Sequence, residues 1–274
     1  MNIVNIINEL EKVDPEVYER LDGRRAAVKN LTSIGGKLAL AAVPLALGSL
    51  FSKAYGRTTA HIVPILNFAL TLEYLEAEYY VEGINSGVVP TSMGDRAAII
   101  EIRDHELAHV AILKQTIMAL GGSPVAKPMF DFTAGGAYAD VFTNYATFLA
   151  VSQAFEDTGV RAYKGQATNL MDNNEILRAA LRIHSVEARH AAHIREMRNR
   201  NFGADVQPWI TLNESGGIPG VAAVYAGEER TNQGGVEITM INGFDISKED
   251  ASEVFDEPLT KEQVLAIVKP FIVA

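Results

Sequence analysis

Two Glu-x-x-His pairs, "ELAH" at Glu106–His109 and "EARH" at Glu187–His190, interrupt long apolar stripes of helical period. In "IHSVEARHAAHIREM", Ile183 to Met197, the residues Ile183, Ile194 and Met197 recur at steps of three and four. Glu187 and His190 occupy the same stripe, where two more core residues belong. A chain that places a carboxylate and an imidazole inside a helix packing seam needs something in that interior to receive them.

Four segments carry helical spacing: 61–84, 93–120, 138–168 and 173–200. The second has the stripe Ile99, Ile102, Glu106, His109, Leu113, Leu120 and stops at Gly121–Gly122. The third has Phe142, Tyr145, Leu149, Ser152, Glu156, Gly159, Tyr163, and the fourth has Ile176, Ala180, Ile183, Glu187, His190, Ile194, Met197. "NSGVVPTS" and "MDNN" are short connections, so the first two segments and the last two each form an antiparallel hairpin. "GGSPVAKPMFDFTAGGA" between the hairpins is long and rich in Gly and Pro; at ~3.3 Å per extended residue it can travel the length of a bundle. The fold class expected is therefore all-α, a four-helix bundle with one long crossover. Residues 1–60 form an N-terminal segment, and 201–274 read as an extension packed on the bundle, with a strand in "VEITMI" and a terminal helix opened by a Thr260–Gln263 capping box.

The first and third segments complete the pattern. Glu73 is followed seven residues on by Tyr80, and Glu156 seven residues on by Tyr163, so the chain contains twice the order Glu, Tyr, Glu-x-x-His. Glu73 and Glu106 stand at similar distances from one turn and Glu156 and Glu187 from the other, which puts all four at about one height in antiparallel hairpins. Four buried carboxylates repel one another and lose their hydration, and they require cations. No Lys or Arg lies on these stripe positions, so metal ions are the cations that remain. Four carboxylates with two imidazoles suit two ions, with iron or manganese favoured and zinc a competitor. Glu76 lies near the same stripe as Glu73 and could replace or supplement it. His61, His105, His184 and His193 are read as lying at a helix end or facing away from the axis.

One Glu from each of two helices and a Glu-x-x-His from each of the other two resembles the ferritin-like di-iron carboxylate pattern. Within it, "ILNFALTLEYLEAEYY", Ile65 to Tyr80, is similar to the ferritin-like domain family that includes plant desiccation-related proteins and many bacterial proteins of unassigned role. The likeness covers residues 61–200. It implies a di-metal centre with Glu73, Glu106, His109, Glu156, Glu187 and His190 as ligands, Glu106 and Glu187 bridging. Tyr80 and Tyr163 read either as core aromatics or as hydroxyls donating to ligand carboxylates.

Two functions fit. One is an oxidoreductase that oxidises ferrous iron with dioxygen or peroxide in stress protection; the other is a non-catalytic, metal-stabilised structural or desiccation-related protein. The chain has no cysteine, which excludes thiolate iron centres that would relay electrons. A net charge of −10 argues against nucleic acid as a partner. The longest apolar run, Leu38 to Phe51, is shorter than the ~18–20 residues of a membrane span and contains Pro44 and Gly48. "RRAAVK", Arg24 to Lys29, reads either as a twin-arginine export signal or as part of a packed amphipathic helix, so the chain is periplasmic by that route or cytoplasmic. Homo-oligomers are compatible with the resemblance, but a closed storage shell is not implied, since both terminal segments would have to fit in it.

Overall fold

The computed structural model describes residues 61–91 and 94–273; the Arg24–Lys29 stretch and the apolar run Leu38–Phe51 lie outside the described residues. Four long helices carry the architecture: α1 (Ile62–Ser86), α2 (Arg96–Ala119), α3 (Tyr145–Ala167) and α4 (Asn174–Phe202). α1 packs along α2, α3 packs along α4, and α1 also meets α3. Tyr80 of α1 meets Glu156 of α3 while Glu73 meets Tyr163, so α1 and α3 run antiparallel. That direction obliges the connection from Leu120 to Asn144 to cross the length of the bundle. The fold is an all-α bundle of four long helices with one long crossover. Among the described residues no helix is long and apolar enough to cross a membrane.

Helix ends follow local chemistry. α2 stops where Gly121 adopts φ 76°, letting its N–H reach Met118 O at 2.9 Å and that of Gly122 reach Ile117 O at 2.9 Å. α4 starts at Asn173, whose side chain accepts from the Ile176 N–H at 3.1 Å. The third helix begins at Tyr145, not at 138 as its spacing suggests. Asp131 accepts from the Thr133 and Gly135 N–H groups at 3.0 and 2.9 Å, holding the preceding residues in turns, and the Asn144 side chain caps the Ala146 N–H at 3.0 Å. Phe142 thus lies outside the helix, yet it packs on Tyr79 with centroids 5.6 Å apart. It joins Phe132, Phe148 and Phe155 around Tyr79, whose hydroxyl donates to Phe148 O at 2.7 Å.

The crossover and the C-terminal segment tie together. β1 (Met129–Phe130) in the crossover pairs antiparallel with β4 (Ile272–Val273) near the end of the chain. From α4 to β4 come α5 (Ala222–Tyr225), the two-residue strands β2 (Asn232–Gln233) and β3 (Val236–Glu237), α6 (Lys248–Ser252) and α7 (Lys261–Val268). The strand read in "VEITMI" is only its first two residues; from Ile238 the chain enters a kinked 3-10 stretch in which Met240 and Ile241 leave helical geometry, and among the described residues no strand continues the pairing. The Thr260–Gln263 capping box opens α7. Leu259 N–H donates to Arg161 O at 3.1 Å, and this approach requires glycine at 165, where a Cβ would lie 1.9 Å from Leu259 O.

Three buried arginines fasten this segment to the bundle. Arg161 donates to the carbonyls of Val224, Ala226 and Glu257 and pairs with Glu228 at 2.6 Å. Arg195 pairs with Asp157 at 2.5 Å, and the same carboxylate accepts from Tyr225 at 2.7 Å. Arg198 donates to Gln153 and to Gly216 O. Truncating one partner of such a buried pair costs ~3–5 kcal/mol, because the charge left behind has no water. These guanidinium groups are committed to the C-terminal segment.

Candidate metal centre

Each of the four long helices contributes to one buried polar cluster on the bundle axis. Glu73 comes from α1, Glu106 and His109 from α2, Glu156 from α3, and Glu187 and His190 from α4. All four carboxylates are 0% exposed, and His109 and His190 are 6% and 4% exposed. The helical period delivers them: on α4, Ile183, Glu187, His190 and Ile194 share the inward stripe.

The donor atoms fall into two groups. His109 Nδ1 lies 3.1 Å from Glu73 Oε2, 3.2 Å from Glu106 Oε2 and 3.1 Å from Glu187 Oε1. His190 Nδ1 lies 2.8 Å from Glu106 Oε1, 3.3 Å from Glu156 Oε2 and 3.9 Å from Glu187 Oε2. Glu106 and Glu187 thus turn one oxygen toward each imidazole. Ligand atoms held ~2.1 Å from a common ion at right angles stand about 3 Å apart, the spacing seen around His109. Each group, Glu73–Glu106–His109–Glu187 and Glu106–Glu156–Glu187–His190, has donor atoms all within 4.8 Å of one another and could hold a metal ion.

Hydrogen bonding alone leaves this cluster incomplete. One ring N–H cannot serve three acceptors, and among the described residues Glu106 Oε1, Glu156 Oε2, both oxygens of Glu187 and His190 Nδ1 have no hydrogen-bond partner. His190 Nδ1 comes within 2.8 Å of Glu106 Oε1 without the alignment of a hydrogen bond. The outer oxygens are satisfied differently. Tyr163 donates to Glu73 Oε1, and Tyr80 donates to Glu156 Oε1 at 2.5 Å, which leaves Glu73 Oε2 and Glu156 Oε2 facing the imidazoles. His105 Nδ1 lies 3.0 Å from His190 Nε2; when His190 donates there, its Nδ1 presents a lone pair to the cluster. Lone pairs converging in a dry interior fit a bound cation.

The protonation behaviour points the same way. Burial raises Glu73 to about 7 although His109 pulls it down, and burial with the neighbouring carboxylates pushes Glu187 and Glu76 well above their usual range. Burial also pushes Glu106 up, but the two imidazoles beside it outweigh burial and hold its carboxyl low. His190 rises to about 11, burial opposing and the Glu156 and Glu106 carboxylates prevailing; at His109 burial is overcome by the Glu73, Glu106 and Glu187 carboxylates, which push it well above its usual range. Tyr80 and Tyr163 are held neutral by burial and by the carboxylates they face. Without metal, the cluster compensates its charge with protons.

Other residues near the axis sort by contact. Glu76 is buried and faces the cluster carboxylates but belongs to neither four-residue group. Gly159 makes room for it: a Cβ there would lie 3.1 Å from Glu76 Oε1 and 3.4 Å from Glu187 Oε2. His105, read from spacing as facing sideways, reaches His190, because a half-buried imidazole next to Glu106 is long enough to bend back to α4. His184 contacts Val160 O at 3.0 Å, His193 is paired with Glu196 at 3.6 Å, and exposed His61 is paired with Asp172 at 3.1 Å. Spacing gave no sign of the Arg195–Asp157–Tyr225 network, since Tyr225 arrives from a segment without helical period.

Comparison with curated proteins gives no match. The family model described as a ferritin-like domain matches residues 61–200, a span that contains all six cluster residues and both tyrosines. The chain belongs to the ferritin-like domain family.

Proposed function

We propose that the cluster is a di-metal centre, with Glu73 and His109 holding one ion, Glu156 and His190 the other, and Glu106 and Glu187 bridging them. The observation that carries this reading is the division of each central carboxylate between the two imidazoles. Four carboxylates balance two divalent ions in charge, and oxygen with imidazole nitrogen suits iron, with manganese and zinc as competitors. The chemistry iron would supply here is electron release: two ferrous ions becoming ferric yield two electrons, which with two protons reduce dioxygen to hydrogen peroxide, or hydrogen peroxide to two waters.

The chain's own groups set the conditions for that reaction. Tyr80 and Tyr163 orient Glu156 and Glu73 so that one oxygen of each faces inward. His105 fixes the ring of His190. The apolar layers of the bundle keep bulk water away and strengthen every charge interaction inside. Oxidation of ferrous iron by dioxygen or peroxide, serving stress protection, is the function this arrangement supports best. The absence of cysteine means that an external donor, or iron itself as substrate, must supply electrons for repeated turnover.

The test is anaerobic addition of ferrous iron in excess, followed by oxidant, with ferric absorbance recorded. Turnover beyond the stoichiometry of the protein supports the oxidase reading. A single stoichiometric loading with no turnover supports instead a site that only clamps the four helices together.

A further inference from the structure

The surroundings of the cluster are not equivalent on its two sides. On the Tyr80 side the axis is filled: Ile102 and Ile194 join the aromatic core with Phe148, whose ring sits so close to α1 that a Cβ at Gly83 would lie 2.2 Å from it. On the Tyr163 side there is an apolar cavity of ≈ 30 Å³, walled by all four long helices. Its wall includes Ala69, one turn before Glu73, Leu113, one turn after His109, and Ile183, one turn before Glu187. The cavity is therefore stacked directly on the cluster.

Its volume exceeds the ~10–15 Å³ that one water-sized guest needs, yet its wall offers little to a polar one. The Thr116 hydroxyl donates to Ile112 O at 2.8 Å, the Tyr163 hydroxyl donates to Glu73, and Gln166 Oε1 accepts from Asn169 Nδ2 at 3.1 Å. Buried water needs 2–4 hydrogen-bond partners, and apolar cavities without them stay dry and accept apolar guests such as xenon. Hydrogen peroxide has the same need as water, whereas dioxygen does not. Half-buried Ile65, Ile112 and Ala179 lead from this space toward the surface.

We propose that the cavity beside Tyr163 holds dioxygen next to the metal centre and disfavours hydrogen peroxide, which makes dioxygen the oxidant that this site takes. The proposal rests on the di-metal reading above. Xenon serves as the probe of the cavity, and the methyl groups of Ala180 and Ile183 report its entry by their resonance shifts. In the metal-loaded full chain, xenon is expected to shift both. Ala180→Leu places a side chain in the cavity and should abolish xenon uptake. It should slow ferrous oxidation by dioxygen on the order of tenfold, the scale on which added carbons close an apolar pocket, with metal content and the rate with peroxide unchanged. If Ala180→Leu does not fold, Ala69→Val gives the same reading with less added volume. No xenon in a wild-type chain carrying its full complement of metal overturns the proposal alone, as does equal slowing of both oxidants or of neither. A chain that binds no metal overturns the reading of the site and the proposal with it.

Discussion

Tyr163 of α3 donates its hydroxyl to Glu73 of α1, and the reverse pair, Tyr80 of α1 to Glu156 of α3, repeats the contact seven residues along each helix. Two antiparallel helices with Glu and Tyr at the same separation must exchange these contacts in both directions. The internal repeat of the sequence thus becomes an approximate two-fold arrangement, in which each tyrosine fixes one carboxylate and leaves its second oxygen for the interior.

Tyr163→Phe removes one such donor while keeping the ring. It should weaken metal binding at the His109 side about tenfold or more, the usual scale for a lost outer contact to a ligand, and Tyr80→Phe should do the same at the His190 side. Competition with a chelator measures this. Affinity within twofold of wild type for both variants would mean that the tyrosines only fill space.

The metal-free protein should lose stability as pH rises. Glu73 has an ordinary value of 4.5 and is raised by burial to about 7, so its contribution is complete below 4.5 and is lost as pH passes through about 7. Glu187 and Glu76 shift in the same direction, and His190, raised from 6.5 to about 11, adds a further loss above 6.5. Glu106, held low, acts oppositely but only in acid. Between pH 5 and pH 8 the Tm of the metal-free chain should fall on the order of 5 °C, and loading with metal should flatten the profile and release protons. A metal-free Tm that climbs across this window would contradict the cluster's compensation by protons.

Gly165→Ala tests the docking of the C-terminal segment. An exposed helical glycine gains up to ~1 kcal/mol on this change, but here the new methyl meets Leu259 O, so unfolding in denaturant should show a loss of ~1–3 kcal/mol. An unchanged or higher midpoint would mean that the Arg161–Leu259 approach contributes little.

Much of the bundle could be read from spacing, because a charged residue at a core position of a long helix has few explanations and four such helices have fewer still. Glu106, His109, Glu187 and His190 advertise themselves in this way. Spacing favours Glu73 over Glu76 only through the Tyr80 seven residues beyond it; in the structure what distinguishes them is the hydroxyl of Tyr163, a contact between segments. The start of α3 was obscured because Asp131 and Asn144 shape the preceding turns through side-chain hydrogen bonds that leave no periodic trace. The buried arginine network was hidden for a related reason: Arg195 and Arg198 resemble a solvated helix face until Tyr225 and the Gly216 carbonyl arrive from elsewhere in the chain.

Elemental analysis of the chain purified without chelator or affinity metal, run beside Glu187→Ala and Glu196→Ala, tests the metal centre most directly. Glu187 faces both imidazoles, whereas Glu196 is exposed on the outer face of the same helix. Two ions per chain are expected in the wild type and in Glu196→Ala, and at most one in Glu187→Ala. A wild type free of metal, or a Glu187→Ala variant that keeps two ions, would contradict the assignment.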